Sequence, residues 1–435
     1  MLYVSIDTFI TLIIQRVIKM KILYLTAYSY PEQAASSYLG SNRNQAFIDQ
    51  GWSMVSYTPT PSRGIDVETR KKYKKIKLEK RFGGHLVVHR FSMFTEGKNP
   101  VLRALRYFLC TIKHFNRGVF AKDARSCNVM FIASTPPIQG AMAAMVKKCR
   151  RDHIPFVYNL QDIFPDSLAG TGLAKKGGLL WKIGRVIENF TYRNADKIVV
   201  ISQDFKRNIM AKGVPEEKIE VVYNWVDQNM VVDVPREENK LFDMYGLDRN
   251  KFYITYCGNI GLTQNMDMLM ETAKELETIE DLHFVLVGNG AYKEKLEEII
   301  QQRGIRNVTL LPFQPYEDIS HVFSLGDASL VISKPGVGEN SVPSKTWSIM
   351  SASRPVLANF DENELKTIIA DHNCGIFTKA GDKEAFKEAI LTLYNDRELC
   401  KEYGRNGRQF VMDNLTREVG TQKYVEVIRQ VAKKS

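Results

Sequence analysis

The chain has 435 residues, of which 44% are hydrophobic and 25% charged. This composition is that of a soluble globular protein, and it argues against a disordered or fibrous chain. The length exceeds one typical core and indicates two domains of about 200 residues each. Six scattered cysteines, with no Cys-x-x-Cys pair, indicate neither a zinc site nor a disulfide framework, and they fit a reducing compartment.

The net charge of +11 is unevenly distributed. Residues 1–230 carry 35 Lys and Arg against 18 Asp and Glu, a net charge of +17, and the remainder carries −6. A basic half suggests a polyanionic partner such as anionic lipid or nucleic acid. A solvated basic face explains the same charge equally well.

The N-terminal segment Leu2–Ile18 is apolar but contains Asp7, Gln15 and Arg16. It is shorter than the ~20 residues of a membrane span, and it lacks the cleavage signal of a secretory leader. We therefore do not expect a transmembrane helix here. Since Met20 opens a natural first strand, we interpret residues 1–19 as a start-site artefact or a weak surface helix.

From Met20 onwards, strand and helix patterns alternate, which is typical of βαβ units and a parallel sheet. The pattern dissolves near residues 228–241, a plausible linker, and then resumes. We predict an α/β protein with two Rossmann-like, doubly wound domains and a ligand site at the carboxyl ends of the strands, in the cleft between the domains. The expected domains are residues 20–230 and 231–415, with a C-terminal helix, 416–435, packing back on the first.

The stretch from Lys334 to Phe360 is the most informative part of the sequence. Gly336 and Gly338 allow a close backbone approach, and Pro343, Ser344 and Lys345 suit the first turn of a helix. Free N–H groups, the helix dipole and the lysine ammonium would converge on a phosphate. For Pro-Ser-Lys alone, an ordinary loop-to-helix junction with a solvated lysine is the more frequent explanation.

Two more glycine loops follow strands of the second domain. Gly258-Asn259-Ile260-Gly261 ends one strand, and Gly288 and Gly290 end the next. Such loops suit a phosphate, a sugar hydroxyl or a nucleotide base. They serve as simple turns about as often.

The strand ends of the first domain carry a different set of residues. A long polar turn containing Gly40 precedes the first helix and is not a GxGxxG fingerprint, which disfavours a nicotinamide or flavin dehydrogenase. Gln161, Asp162 and Asp166 follow a strand in YNLQDIFPDS. The two carboxylates either act as acid, base or acceptor ligand or cap the next helix. No Asp-x-Asp motif is present here, so no divalent metal is expected.

Together, strand-GNIG-helix, FVLVGNG, NVTLLPFQPYEDI and PSKTWSIMSASRPVLA resemble the nucleotide-sugar-dependent glycosyltransferases of family 4, which have the GT-B fold. The resemblance covers nearly all of residues 20–435. It is greatest to the bacterial branch of proposed N-acetyl-L-fucosamine transferases of O-antigen and capsule assembly, whose members carry QDxxPxS, CGNIGxxQ and VPSK.

The resemblance implies a donor on the second domain, with its diphosphate at Gly258–Gly261 and at the helix beginning at Ser344. This chain has Asn259 and Gln264 where many members have Arg and Lys, so Lys345 and Lys334 would supply the positive charge. The remaining donor-side candidates are Gly288, Gly290, Gly338, Glu339 and Asn340. Asn340 and Ser348 replace the family's glutamate pair, and Gln161 with Asp162 replaces a first-domain histidine.

The resemblance also implies transfer with retention, without a metal or other cofactor, from a nucleotide-sugar, with UDP favoured over GDP. It implies a lipid-linked saccharide acceptor, with Gly40 and Asp166 on the acceptor side and Asp162 and Gln161 nearest the reaction. Two other functions stay open. A GT-B nucleotide-sugar epimerase would use the same phosphate loops. A nucleic-acid-binding protein would explain the basic half, but the chain lacks an aromatic-interleaved recognition element, so we expect no nucleic-acid partner.

The segment Val101–Lys122 predicts an amphipathic helix with an apolar stripe and flanking cations. Such a helix can lie on a lipid surface, although amphipathic helices more often pack inward. The basic run Arg70–Arg81 carries eight cations and one glutamate and would add attraction to an anionic leaflet. We therefore predict a cytoplasmic protein attached peripherally to the cytoplasmic face of the membrane.

Overall fold

The computed structural model describes residues 20–32, 37–97, 99–167, 175, 177–338 and 343–432. It divides the chain into two compact units. The first unit runs to Val222 and includes the stretch from Thr421 onwards, and the second unit is Tyr223–Gly420. Residues 1–19, Glu339 and Asn340 lie outside the described residues, so the predictions made for them stay predictions, as does the expected domain boundary after residue 230.

The first unit is built on an eight-stranded sheet with the order β3-β4-β2-β1-β5-β6-β7-β8. Every neighbouring pair is parallel except β3 and β4, which are antiparallel. The central strands are buried on both faces, as a sheet covered by helices requires. The strands are β1 Lys21–Leu25, β2 Ser53–Pro59, β3 Leu78–Arg81, β4 Leu86–Phe91, β5 Val129–Ala133, β6 Phe156–Leu160, β7 Lys197–Val200 and β8 Ile219–Val221.

Helices connect these strands. They are α1 Ser37–Asp49, α2 Val67–Lys75, α3 Pro100–Phe120, α4 Lys122–Arg125, α5 Ile138–Cys149, α6 Leu179–Asn194 and α7 Gln203–Ala211. Gly40 lies inside α1, so the prediction that it belongs to the loop before the helix is wrong. A Cβ at this position would meet only the tip of Arg43, at 3.9 Å, so packing does not require glycine there.

Helices α2 and α3 lie on opposite faces of the first sheet. Successive side chains of a strand point to opposite faces. On β4, the Arg90 guanidinium lies 4.8 Å from the ring centroid of Tyr73 on α2, whereas the neighbouring Phe91 contacts His114 of α3. Right-handed crossovers give the same result, because the chain moves from β2 towards one sheet edge through α2 and back across the sheet through α3.

The second unit contains a six-stranded parallel sheet with the order β11-β10-β9-β12-β13-β14. Its strands are β9 Phe252–Asn259, β10 Leu282–Asn289, β11 Val308–Leu311, β12 Ala328–Ile332, β13 Val356–Phe360 and β14 Gly375–Lys379. Its helices are α8 Leu241–Tyr245, α9 Met266–Glu275, α10 Lys293–Arg303, α11 Ile319–Phe323, α12 Lys345–Ser351, α13 Glu364–Asp371, α14 Lys383–Asn395 and α15 Arg397–Asn414. The predicted fold class, two doubly wound parallel-sheet domains, is confirmed.

The last helix, α16 (Arg417–Ala432), passes from the second unit into the first. Within the first unit, the Tyr424 hydroxyl donates to Asn159 Oδ1 at 2.9 Å, and the Tyr424 ring packs edge-on against Phe131. The Arg43 guanidinium lies 4.2 Å from the centroid of Phe131 and 5.5 Å from that of Tyr424. These contacts tie α16 to the face of the first sheet that α1 covers.

Candidate functional site

The candidate donor site lies at the carboxyl end of β9 in the second unit. Strand β9 pairs with β10 on one side and with β12 on the other, so the chain reverses its direction across the sheet at this strand. Ligands of doubly wound sheets bind at such a point. Gly258 lies there with φ 137°, a conformation that a residue with a side chain rarely adopts.

Lys345 projects into this site from the first turn of α12. Its ammonium lies 3.8 Å from the centroid of the Tyr256 ring, and a Cβ built on Gly258 would lie 3.5 Å from Nζ. Among the described residues, no carboxylate forms an ion pair with Lys345. Burial lowers the pKa of Lys345 to about 8, and the Cys257 side chain opposes that shift. The site therefore holds a desolvated cation that a bound anion would stabilise.

Two buried hydroxyls flank the lysines of this site. Ser333 precedes Lys334 and Thr346 follows Lys345, and both hydroxyl-bearing residues are buried. Within the described part of the chain, neither hydroxyl oxygen has a hydrogen-bond partner. Buried polar groups without partners are uncommon and call for an explanation such as an absent ligand. Sequence reasoning missed both, although their positions next to two candidate cations could have suggested them.

The loop after β9 is shaped by side chains at its own positions. Gly261 N donates to Gln264 Oε1 at 3.0 Å, and a Cβ at 261 would lie 2.5 Å from Asn259 Nδ2. Tyr256, whose ring faces Lys345, donates its hydroxyl proton to Asn259 O at 2.6 Å. The Gln264 side chain and the backbone carbonyl of Asn259 therefore brace the loop. Donor contacts by Asn259, Gly261 and Gln264 stay predictions.

Backbone packing between strand ends accounts for two of the predicted glycines. A Cβ at Gly288 would lie 1.9 Å from Gly258 O, and a Cβ at Gly290 would lie 2.2 Å from Ile260 O. Both positions therefore require glycine whether or not a ligand is bound. Their predicted contact with a nucleotide stays a prediction.

The glycine loop after β12 is held by the end of β13. Both carboxylate oxygens of Asp361 accept backbone hydrogen bonds, from Gly336 N at 2.9 Å and from Gly338 N at 2.7 Å. A Cβ at Gly338 would lie 2.4 Å from the Phe360 ring, and Asn363 Nδ2 donates to Gly338 O at 3.0 Å. The amide of Gly338 is thus already satisfied by Asp361, which sequence reasoning missed, and its predicted donor contact stays a prediction.

Lys334 and Ser344 occupy the predicted side of the sheet. Lys334 N donates to Thr263 O at 2.8 Å, which joins the end of β12 to the loop after β9. Its ammonium lies 5.7 Å from the Tyr292 ring centroid. Ser344 is exposed and precedes α12 without a side-chain capping bond. The structure thus places Lys334, Ser344, Lys345 and Gly258 on the side of the sheet where the carboxyl ends of the strands lie.

In the first unit, the predicted residues follow β6 but have different surroundings. Gln161 Nε2 donates to Asn159 Oδ1, the oxygen that also accepts from Tyr424. Asp162 is exposed and accepts from Ser167 Oγ at 3.2 Å. Local desolvation raises the pKa of Asp162, and the Ser167 bond opposes this shift. Asp162 therefore remains available to a substrate.

Asp166 is engaged in a buried ion network. Lys212 Nζ lies 2.7 Å from Asp166 and 2.9 Å from Glu188, and Asn208 donates to Asp166 at 3.3 Å. Desolvation opposes the ionisation of Asp166, but the bonds to Lys212 and Asn208 outweigh it and lower its pKa. These contacts give Asp166 a structural role in joining the loop after β6 to the end of α7, and an acceptor role stays a prediction.

Similar proteins share this architecture. Sucrose-phosphate synthase from Thermosynechococcus elongatus superposes with a TM-score of 0.72 at 14% identity, covering 96% of this chain and all of that one. HepE of Anabaena in complex with UDP superposes with a TM-score of 0.70 at 17% identity, covering 94% of this chain and all of that one. At these identities the likeness shows the fold alone.

Among curated proteins, the "Putative colanic acid biosynthesis glycosyl transferase WcaI" of Escherichia coli is 34% identical over 202 residues, 45% of this chain and 48% of that protein. The "Probable glycosyltransferase WbjE" of Pseudomonas aeruginosa is 23% identical over 285 residues, 64% of this chain and 69% of that protein. The chain thus spans about half of WcaI and about two thirds of WbjE.

Two family models match successive parts of the chain. The model described as Glycosyltransferase Family 4 matches residues 46–229, within the first unit and the start of the second. The model described as Glycosyl transferases group 1 matches residues 237–410, which include the β9 site, Lys334 and Lys345. Residues 46–229 thus match the Glycosyltransferase Family 4 model and residues 237–410 match the Glycosyl transferases group 1 model, and the chain has the GT-B fold.

Proposed function

We propose that the protein is a glycosyltransferase of bacterial surface polysaccharide assembly, which takes a sugar from a nucleotide-diphosphate donor bound on the second unit. The observation that carries this proposal is the desolvated ammonium of Lys345, which lies beside Gly258 and has no carboxylate partner among the described residues. A diphosphate leaving group develops negative charge as the bond to the sugar breaks. A preorganised cation in a desolvated site stabilises that charge.

We propose a UDP-sugar as the donor and an N-acetylamino sugar, with N-acetyl-L-fucosamine as the specific candidate, as the group transferred. The sugar follows the resemblance in QDxxPxS, CGNIGxxQ and VPSK. UDP is supported by HepE, a protein of the same fold that was crystallised with UDP. WcaI and WbjE, whose names place them among glycosyltransferases, support the polysaccharide context.

We propose transfer with retention. The bond between the anomeric carbon and the diphosphate oxygen breaks, a bond to the acceptor hydroxyl oxygen forms on the same side, and the hydroxyl proton passes to the departing diphosphate. Lys345, with Lys334, neutralises the leaving group, so the proposal invokes no metal. The acceptor is a lipid-linked saccharide assigned to the first unit, with Asp162 orienting its hydroxyl. The assigned location is the cytoplasmic face of the membrane.

A panel of UDP- and GDP-sugars tests the donor by protection against thermal unfolding. One UDP-sugar should raise the melting temperature, and transfer from it should fall by about 10² to 10³-fold in Lys345→Ala, as for other oxyanion-stabilising groups. Lys366→Ala is the matched control, since Lys366 is an exposed lysine of the same unit paired with Glu362. Wild-type affinity and turnover in Lys345→Ala would contradict the site. Sugar release or epimerisation without an acceptor would favour the epimerase.

A further inference from the structure

One face of the first sheet is covered by α3, α5 and α6, whose outer sides are unusual in composition. Helices α3 and α5 contain no Asp or Glu, and the one acid of α6, Glu188, is buried in the ion network with Lys212. Close approaches join the three helices. A Cβ at Gly118 of α3 would lie 3.0 Å from Val146 of α5, and a Cβ at Gly140 of α5 would lie 2.2 Å from Thr191 of α6.

Large apolar side chains point outwards from this layer. On α3, the inward side carries buried polar residues such as Arg106 and His114. The outward side carries Leu105, Phe108 and Ile112, and Phe108 is 55% exposed. Helix α6 repeats the arrangement. Its outward side carries Leu179, Ile183 and Val186, with exposures of 77%, 49% and 68%. A soluble protein rarely leaves such stripes uncovered unless they bind a partner.

The exposed charges on the outward sides of α5 and α6 are positive: Lys148 lies on α5 and Lys182 on α6. Arg103 and Arg117 of α3 are also exposed, but with 3.6 residues per turn they share the side of the helix that carries Arg106 and His114, opposite the apolar stripe. The Lys148 ammonium lies 4.9 Å from the ring centroid of Phe190 on α6, which joins cation and apolar surface. The nearest carboxylates, Asp123 and Asp152, lie beyond the helix ends and are engaged by His89 and Arg150.

We propose that this outer side of α3, α5 and α6 is a docking surface for an anionic lipid bilayer, with α6 as a second inserting helix beside α3. Apolar stripes flanked by cations match the two components of such a surface, acyl chains and anionic headgroups. A second copy of this face would bring like charges together, and a nucleic acid would leave the leucine and isoleucine side chains without an apolar partner. The inference depends on the proposed function only in expecting a lipid-linked acceptor.

This proposal differs from the sequence prediction in its source of charge. The predicted basic run forms α2 and β3, and α2 lies on the opposite face of the sheet from α3. Its cations therefore do not belong to the same surface as the apolar stripe. The cations that do, Lys148 and Lys182, lie on two helices that are separate in sequence, so no contiguous run of the chain marks them.

Vesicle co-sedimentation of the full chain tests the surface. Binding to vesicles of phosphatidylglycerol and phosphatidylethanolamine should weaken about tenfold or more in Phe108→Glu/Ile183→Glu, because each change removes apolar contact and adds a repelled charge. The control is Met244→Glu/Phe313→Glu, at 56% and 75% exposure in the second unit, which should bind as wild type does. UDP-sugar protection in both variants shows that the donor site is intact, so a failure here is distinguishable from failure of the proposed function.

Charge is tested by two sets of equal size. Lys148→Gln/Lys182→Gln should weaken binding more than Lys71→Gln/Lys72→Gln on α2, where both lysines are exposed. The exposed Cys149 at the end of α5 allows membrane binding to be measured without changing the apolar or charged residues of the surface. The fluorescence of an environment-sensitive label on Cys149 should increase with anionic vesicles and not with neutral ones. Three results would overturn the proposal. The first is equal binding of the wild type to neutral and anionic vesicles, and the second is a greater loss of binding in the α2 set. The third is a wild-type protein that is dimeric and becomes monomeric in Phe108→Glu/Ile183→Glu.

Discussion

Lys345 joins two properties that are seldom found in one lysine, an aromatic neighbour and a lowered pKa. With a pKa of about 8, the folded protein releases this proton more readily than an unfolded chain, whose lysines titrate near 10.4. Between these values the unfolded state binds more protons. The contribution of Lys345 to the free energy of unfolding therefore rises with pH through this window. Below pH 8 the buried charge costs stability in the absence of an anion.

We expect the affinity for a nucleotide to depend on the protonation of Lys345. A nucleoside diphosphate is fully ionised above about pH 7.5, so its own charge is constant there. UDP affinity should fall as pH rises from 8 to 9.5, towards tenfold per unit, because free-base Lys345 must take up a proton to pair with the anion. Calorimetry in buffers of different ionisation enthalpy should detect that uptake. In Lys345→Arg the affinity should be independent of pH, and an unchanged slope there would assign the titration elsewhere.

Asp162 and Asp166, only four residues apart, allow a carboxylate that we predict to face the substrate to be compared with a structural one. Asp162→Asn should leave the melting temperature nearly unchanged, because Asp162 is exposed, and should lower kcat by about 10² to 10⁴-fold if it transfers or orients a proton. Asp166→Asn should lower the melting temperature, because it breaks the bond to Lys212. Full turnover with reduced stability in Asp162→Asn would reverse the assignment.

Among the elements, the loop after β12 illustrates how a ligand site is supported from a neighbouring strand. In Asp361→Asn, an NH2 group replaces one carboxylate oxygen, so one of the two backbone amides loses its acceptor. This change should destabilise the loop by about 1–2 kcal/mol. We expect KM for the nucleotide-sugar to rise several-fold while kcat at saturation changes less, since Asp361 positions the loop rather than contacting the reaction.

The control for this variant is Glu362→Gln, one residue further along the chain. Glu362 forms an exposed i,i+4 pair with Lys366 at 2.8 Å, and solvent screening leaves such a pair with little effect on stability. It removes the same charge without touching the loop. If both variants raised KM equally, the effect would come from net charge and the support by Asp361 would be refuted.

Element identity was largely predictable because alternating apolar and polar runs are local features of the sequence. The alternation of strands and helices predicted from Met20 onwards recurs in both units. Helix α2 and strand β3 were missed because the run Arg70–Arg81 is nearly all charged. Only Tyr73 of α2 is buried, and β3 is an edge strand that needs little apolar sequence. Both elements form because β4 and Arg90 supply partners from elsewhere in the chain.

For the whole molecule, sequence reasoning found the lysine of the candidate site but not its environment. Lys345 was identifiable from its place after a glycine loop. The ring of Tyr256 and the carboxylate of Asp361 come from other strands, which no local pattern encodes. The hydroxyls of Ser333 and Thr346 are next to the two lysines in sequence, but their burial, and their lack of hydrogen-bond partners among the described residues, depend on packing. None of the described helices combines the length and the apolar character needed to cross a bilayer. The exposed apolar side of α6 can be identified only from the structure, because the structure shows which side of the helix is buried.

The titration of Lys345 also has a chemical consequence. At pH 8 about half of these amines are unprotonated, whereas an ordinary surface lysine is almost entirely protonated. We therefore expect acylating or aldehyde reagents to modify Lys345 in preference to the surface lysines at mildly alkaline pH. A diphosphate bound beside it would hold the proton and mask the amine, so the rate of covalent modification at this one position reads out donor-site occupancy directly.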